Sequence, residues 1–217
     1  MFFQKKINLL FIWVPKAAGS SVYRALKESR YRCKRLLNRR KKGIIEFPYT
    51  DFDNTGAVTF SHASIEALME QGIVKTDFFE NAFKFCFVRN PWDRLVSLFF
   101  YRGFNEKYES FEQFCLDFRD QEIEPIGLFN SKLNSQFNDQ TAWIVGKNGR
   151  LLVDFIGRYE RLQDDFSKVC KILGIRNKLP HRNKTDHEHY KKYYNPKTIE
   201  IVKRKYKRDI DLFGYDF

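Results

Sequence analysis

The sequence predicts an α/β protein, and three stretches carry that prediction: residues 7–26, 81–102 and 151–175 each read as a buried apolar run that stops at a turn and passes into an amphipathic helix. The 217 residues fit one domain spanning 1–217, and 43% hydrophobic with 17% aromatic content supports a folded globule. With 39 Lys and Arg against 27 Asp and Glu, the net charge of +12 favours an anionic ligand, substrate or surface. Charge does not choose among nucleic acid, an acidic glycan, anionic lipid and a nucleotide.

In the first stretch, residues 7–14 are apolar except for Asn8, too short to span a bilayer, and rich in the residue types of a central strand. Pro15 cannot donate to a sheet ladder, so the strand should end there. Ala17, Ala18 and Gly19 then leave a bare backbone on which several N–H groups can converge on an anion, and Ser20 and Ser21 add hydroxyls. Val22 and Leu26 recur at helical spacing, which puts the turn at a helix N-terminus, where phosphate is favoured. Lys16 supplies a mobile positive charge. It precedes the one glycine of the stretch, whereas a Walker A loop needs its lysine after the second glycine. Alone, the segment is equally compatible with an ordinary tight turn.

Residues 30–42 form the densest basic run, read either as a solvated loop or as a rim for a polyanionic acceptor. Residues 57–60 suggest a strand and 64–70 a short helix, with His62 at their junction. A histidine at a strand end is commonly structural, but ligands of open α/β sheets bind beyond the carboxyl ends of strands. In the second stretch, 83–88 reads as a buried strand; Asn90 is the cap and Pro91 the first position of the next helix. Arg89 then ends the strand and Ser97 lies two turns into the helix, a fork donor and a hydroxyl that can together hold a terminal phosphate.

Phe111, Phe114, Cys115 and Phe118 mark the inner face of a helix over 108–118, and a further helix is expected over 134–143. Asn148 and Gly149 mark a turn. The third stretch predicts a strand and a helix with Phe166, Val169, Cys170 and Leu173 on one face, ending at Gly174. The C-terminal helix is expected over 196–212, with Ile199, Val202, Tyr206 and Ile210 as its stripe. The four cysteines form no C-x-x-C pair, and His181, His187 and His189 complete no metal-ligand spacing, so no metal is expected. The N-terminal segment lacks a small-residue cleavage site, and the expectation is a cytoplasmic protein without a membrane span.

The strand, P-K-A-A-G-S-S loop and helix at 7–26 resemble the 5′-phosphosulfate loop of sulfotransferases, with Ala17-Ala18 where Thr-Gly is common. The string V-R-N-P-W-D-R-L-V-S-L-F, from residue 88, closely resembles the family's 3′-phosphate motif; G-R-Y-E-R-L-Q-D-D-F and L-P-H-R-N-K-T resemble its later segments. The resemblance is to family-2 type sulfotransferases, which include carbohydrate sulfotransferases, and covers nearly the whole chain. It implies a three-layer α/β fold with a mostly parallel sheet, related to P-loop nucleotide kinases. It also implies transfer of a sulfuryl group from 3′-phosphoadenosine 5′-phosphosulfate to a hydroxyl, with a carbohydrate acceptor, neutral or anionic, and no metal. The resemblance assigns Lys16 to the leaving phosphate oxygen, and residues 17 to 21 (Ala17, Ala18, Gly19, Ser20, Ser21) to the 5′-phosphate. Arg89 and Ser97 go to the 3′-phosphate, Tyr159 to the adenine, and Arg182, Asn183, Lys184 and Thr185 to a closing loop. His62 is the candidate base for the acceptor hydroxyl.

Two other classes remain compatible with the residues. A nucleotide or sugar kinase would want a Walker lysine and magnesium ligands, neither of which is evident. A non-catalytic polyanion-binding module would explain the charge but not the spacing of Lys16, Arg89 and Ser97.

Overall fold

The computed structural model describes residues 1–4, 8–32, 63–70, 72, 74–123, 126, 136–176, 179 and 187–217. Among the described residues four strands form one sheet in the order β1 (Phe2–Gln4), β2 (Leu9–Ile12), β3 (Phe83–Val88) and β4 (Phe155–Arg158). The last three are parallel, with Phe11 opposite Phe85 and Phe85 opposite Phe155. β1 is an antiparallel edge strand, turned back onto β2 through Asn8 at φ 44°.

β2 is buried at every position, which explains its unbroken apolar run: helices flank the sheet, so neither side of the strand meets water. It is shorter than the predicted 7–14, because Trp13 and Val14 stay buried but leave the ladder to begin the turn. β3 occupies the predicted 83–88. Gly157 of β4 lies against the ring of Phe87, where a Cβ would come within 2.3 Å of a ring carbon. Only a glycine admits that aromatic ring.

Helix α1 (Gly19–Arg32) follows β2; α2 (Ile65–Glu70) and α3 (Thr76–Asn81) precede β3. Between β3 and β4 come α4 (Pro91–Tyr101), α5 (Phe111–Asp120) and the single turn α6 (Thr141–Ile144). Asn90 caps α4, its side chain accepting from the N–H groups of Trp92 and Asp93, as its sequence position predicts. Ser110 caps α5 in the same way, and Phe111, Phe114, Cys115 and Phe118 are all buried. After β4 come α7 (Leu162–Ile172), α8 (Pro196–Lys205) and α9 (Lys207–Phe213). Among the described residues no helix is long and apolar enough to cross a membrane.

Two expected helices are corrected. Residues 134–143 do not form one helix: the described part holds a short 3-10 turn at 136–137 and then α6. The N–H groups of Gln140 and Thr141 donate to the buried carboxylate of Asp209, at 2.9 Å each, and that long-range partner displaces a regular i to i−4 ladder. The C-terminal helix is likewise two, broken at Tyr206 (φ −108°, ψ 30°), whose fully buried ring packs on Arg94 and Phe118. The strand expected at 57–60, most of the basic run, His62, His181 and Arg182 to Thr185 lie outside the described residues.

Candidate functional site

The turn after β2 is built by two residues in left-handed backbone, Lys16 at φ 62° and Ala18 at φ 64°, with Ala17 between them outside that region. Alternating φ of this kind turns successive N–H groups towards one side, the geometry of an anion-binding nest. Left-handed backbone costs a residue with a Cβ about 1–2 kcal/mol, so something must hold it. Arg94, fully buried on α4, donates from Nε to the Pro15 carbonyl at 3.1 Å, and Arg89 Nη1 donates to the Lys16 carbonyl at 3.3 Å. The other Arg94 nitrogens donate to the carbonyls of Asn138 (3.0 Å) and Gln136 (2.7 Å). One buried guanidinium thus ties the loop to the segment before α6.

Gly19 is needed for space and not for its own backbone angle. A Cβ there would sit 1.7 Å from Trp13 Nε1, because the Trp13 indole lies under the first turn of α1, stacked between Phe11 and Tyr23. The N–H groups of Ser21 and Val22 both donate to the Ala18 carbonyl, at 3.0 and 3.1 Å. Those of Gly19 and Ser20 open the helix, where no intrahelical acceptor exists.

Arg89, at the end of β3, is 5% exposed. Its Nε and Nη2 donate to the two carboxylate oxygens of Asp93 at 2.7 and 2.8 Å, and its guanidinium lies 4.0 Å from the Tyr159 ring centroid. The fork that could grip an oxyanion is therefore engaged by Asp93. Gln140 brackets the Arg89 backbone: Oε1 accepts from Arg89 N–H and Nε2 donates to Arg89 C=O, both at 2.8 Å. Gln140 Nε2 also reaches Asp209 at 3.1 Å, so α9 acts on the strand end through one amide. Glu160 joins β4 to the same corner, accepting from Asn90 N–H (2.6 Å) and from the Tyr215 hydroxyl (3.1 Å).

Arg89, Asp93, Ser97 and Tyr101 are spaced four apart, so the last three share a face of α4. Ser97 is 2% exposed, and Lys16 Nζ lies 3.6 Å from the centroid of the Tyr101 ring. Burial, then the charges of Arg89 and Arg102, lower the Lys16 ammonium from its ordinary 10.5 to about 7.

The sequence-predicted Lys16, Ala17, Ala18, Gly19, Ser20, Ser21, Arg89, Ser97 and Tyr159 thus gather at the carboxyl ends of three parallel strands. Sequence reasoning missed Asp93, Arg94, Tyr101, Arg102, Gln140, Glu160 and Asp209. Arg94 carried a signal, a charge between Trp92 and Leu95 on an apolar helix face; Gln140 and Asp209 carried none. Among the described residues no group of three or more His, Cys, Asp or Glu side chains gathers as for a metal ion.

The residues suit a polyanion with an aromatic base: a nest, three nearby cations and the half-buried Tyr159 against one of them. The model of the family-2 sulfotransferases (Sulfotransferase family) matches residues 1–216. A protein of Archaeoglobus fulgidus, described as uncharacterized, is 32% identical over 128 residues, which is 58% of this chain and 97% of that protein. No solved structure matches. With the match running through every strand and helix just described, the chain belongs to the sulfotransferase family.

Proposed function

We propose that this chain moves a sulfuryl group from 3′-phosphoadenosine 5′-phosphosulfate to a hydroxyl of a carbohydrate acceptor, as one cytoplasmic domain on a three-layer fold of the nucleotide-kinase type. The observation that carries the reading is the contact between the two motif loops: Arg89 donates to the carbonyl of Lys16, so the ends of β2 and β3 form one cationic corner. A bisphosphorylated nucleotide needs two phosphate grips at fixed separation, and a contact that joins the two motif loops supports such a pair. The donor supplies an activated sulfuryl group whose leaving atom is a phosphate oxygen.

The chain's part is positioning and charge. The N–H groups of residues 17–20 and the hydroxyls of Ser20 and Ser21 hold the 5′-phosphate. Lys16, protonated when an anion lies beside it, offsets charge on the leaving oxygen. Arg89 and Ser97 take the 3′-phosphate, for which the oxyanion must compete with Asp93, and the Tyr159 ring flanks the adenine. Arg182, Asn183, Lys184 and Thr185 close over the nucleotide, and His62 takes the proton of the acceptor hydroxyl.

Calorimetric titration with adenosine 3′,5′-bisphosphate, 5′-AMP and ATP with magnesium tests the reading. Metal-free preference for the bisphosphate, lost in Arg89→Ala, is expected. Equal affinity for the bisphosphate and 5′-AMP would refute it, and a preference for magnesium ATP would favour the kinase reading.

A further inference from the structure

We propose that Arg102 is a further binding residue of this site, holding with Lys16 a tetrahedral oxyanion of the phosphate or sulfate type on the Tyr101 side of the loop. The inference deepens the sulfotransferase reading and takes its two possible ligands from it. Arg102 follows α4, its backbone N–H donating to Leu98 and Phe100 carbonyls. A cation here suits the helix dipole, and that is the structural role available to it. The dipole does not account for its Nε, which is buried with no acceptor among the described residues. An unmet buried donor is costly, and more so on a charged group.

The surroundings name the acceptor. The Arg102 guanidinium lies 5.4 Å from the Tyr101 ring centroid, and Lys16 Nζ lies 3.6 Å from the same centroid. Two cations therefore share one aromatic ring. Neither has a carboxylate partner among the described residues, while the nearby Arg89 has Asp93. Like charges are gathered at a cost that an oxyanion between them removes, and a guanidinium beside an ammonium offers both directional N–H groups and a point charge to it. The oxyanion is either the phosphosulfate of the donor or an acidic group already carried by the acceptor.

The test titrates inorganic pyrophosphate, without metal, into the full chain and into Arg102→Gln, Arg102→Lys and Arg119→Gln, the last removing a charge at an exposed pair with Asp120. Arg102→Gln should weaken pyrophosphate about tenfold or more, Arg102→Lys less, and Arg119→Gln not at all. If Arg102→Gln fails to fold, Arg102→Lys alone decides, since it keeps the charge and lacks the Nε donor. Unchanged affinity in the folded Arg102 variants, or no pyrophosphate binding by wild type, overturns the proposal. Parallel titrations with 3′-phosphoadenosine 5′-phosphosulfate and with a sulfated disaccharide identify the source by which affinity falls. An Arg102-dependent pyrophosphate site in a protein that does not prefer the bisphosphate over 5′-AMP would sink the sulfotransferase reading and leave this one standing.

Discussion

Anion binding at this corner should take up a proton, and Lys16 sets the amount. Its ammonium is held near pH 7 by desolvation first and by Arg89 and Arg102 second. An oxyanion beside it offsets both causes and returns the group towards 10.5. At pH 8 the free protein then carries about a tenth of a proton on Lys16 and the complex nearly a whole one, an uptake of about 0.9 proton per nucleotide. At pH 6 the group is already charged, and the Lys16 contribution should fall to about 0.1, while the nucleotide's own phosphates, half protonated there, release protons on binding. The corresponding affinity falls about 50-fold between pH 7 and 9, as deprotonation of the free lysine competes with binding. Titrating adenosine 3′,5′-bisphosphate at each pH in two buffers of different ionisation enthalpy measures the uptake directly. Lys16→Arg, charged throughout, should abolish it and flatten the profile. Uptake below about 0.2 proton at pH 8 in wild type, or equal uptake in Lys16→Arg, would refute the reasoning.

The same lysine predicts how stability without ligand depends on pH. Between about 7 and 10.5 the unfolded chain keeps the proton and the folded chain has lost it, so wild type should gain up to about 1.4 kcal/mol per pH unit relative to Lys16→Met, read by denaturant melts. Asp93→Asn leaves the buried Arg89 guanidinium without its counter-charge and should lower stability by about 3 kcal/mol, yet raise affinity for the bisphosphate by removing a competitor. A loss of affinity as large as that of Arg89→Ala would instead make Asp93 a positioning residue. Gly19→Ala drives a methyl into the Trp13 indole and should cost about 1–3 kcal/mol in thermal denaturation; an unchanged melting temperature would show that the indole relaxes freely. Asp209→Ala strips an acceptor from Gln140 and Thr141 and should cost about 3 kcal/mol or more. Because Gln140 brackets Arg89, it should also weaken bisphosphate binding more than an equally destabilising core change does, compared in the same titration.

Local chemistry made much of the fold readable. The span of β3, the Asn90 cap with Pro91 behind it, and the Ser110 cap of α5 depend on neighbours within four residues, and such signals survive in a linear string. Lys16, Arg89, Ser97 and Tyr159 were readable as candidates because each follows a strand or sits on the next helix turn. The sequence alone thus determined the order of strand, loop and helix and which chemical groups stand at the strand ends. Tertiary structure decided what those groups do to one another. Gln140 and Asp209 are separated by 69 residues, and the Asp209 carboxylate takes the N–H groups of Gln140 and Thr141 that a helix over 134–143 would have used. Asp93 closing the fork of Arg89, Arg94 pinning the Pro15 carbonyl, and Arg102 meeting Lys16 across Tyr101 likewise depend on which side chains share a space from which water is excluded. No local pattern encodes that, because the strength of a charge or a hydrogen bond is set by its surroundings, and the surroundings exist only once the sheet has brought β2, β3 and β4 side by side.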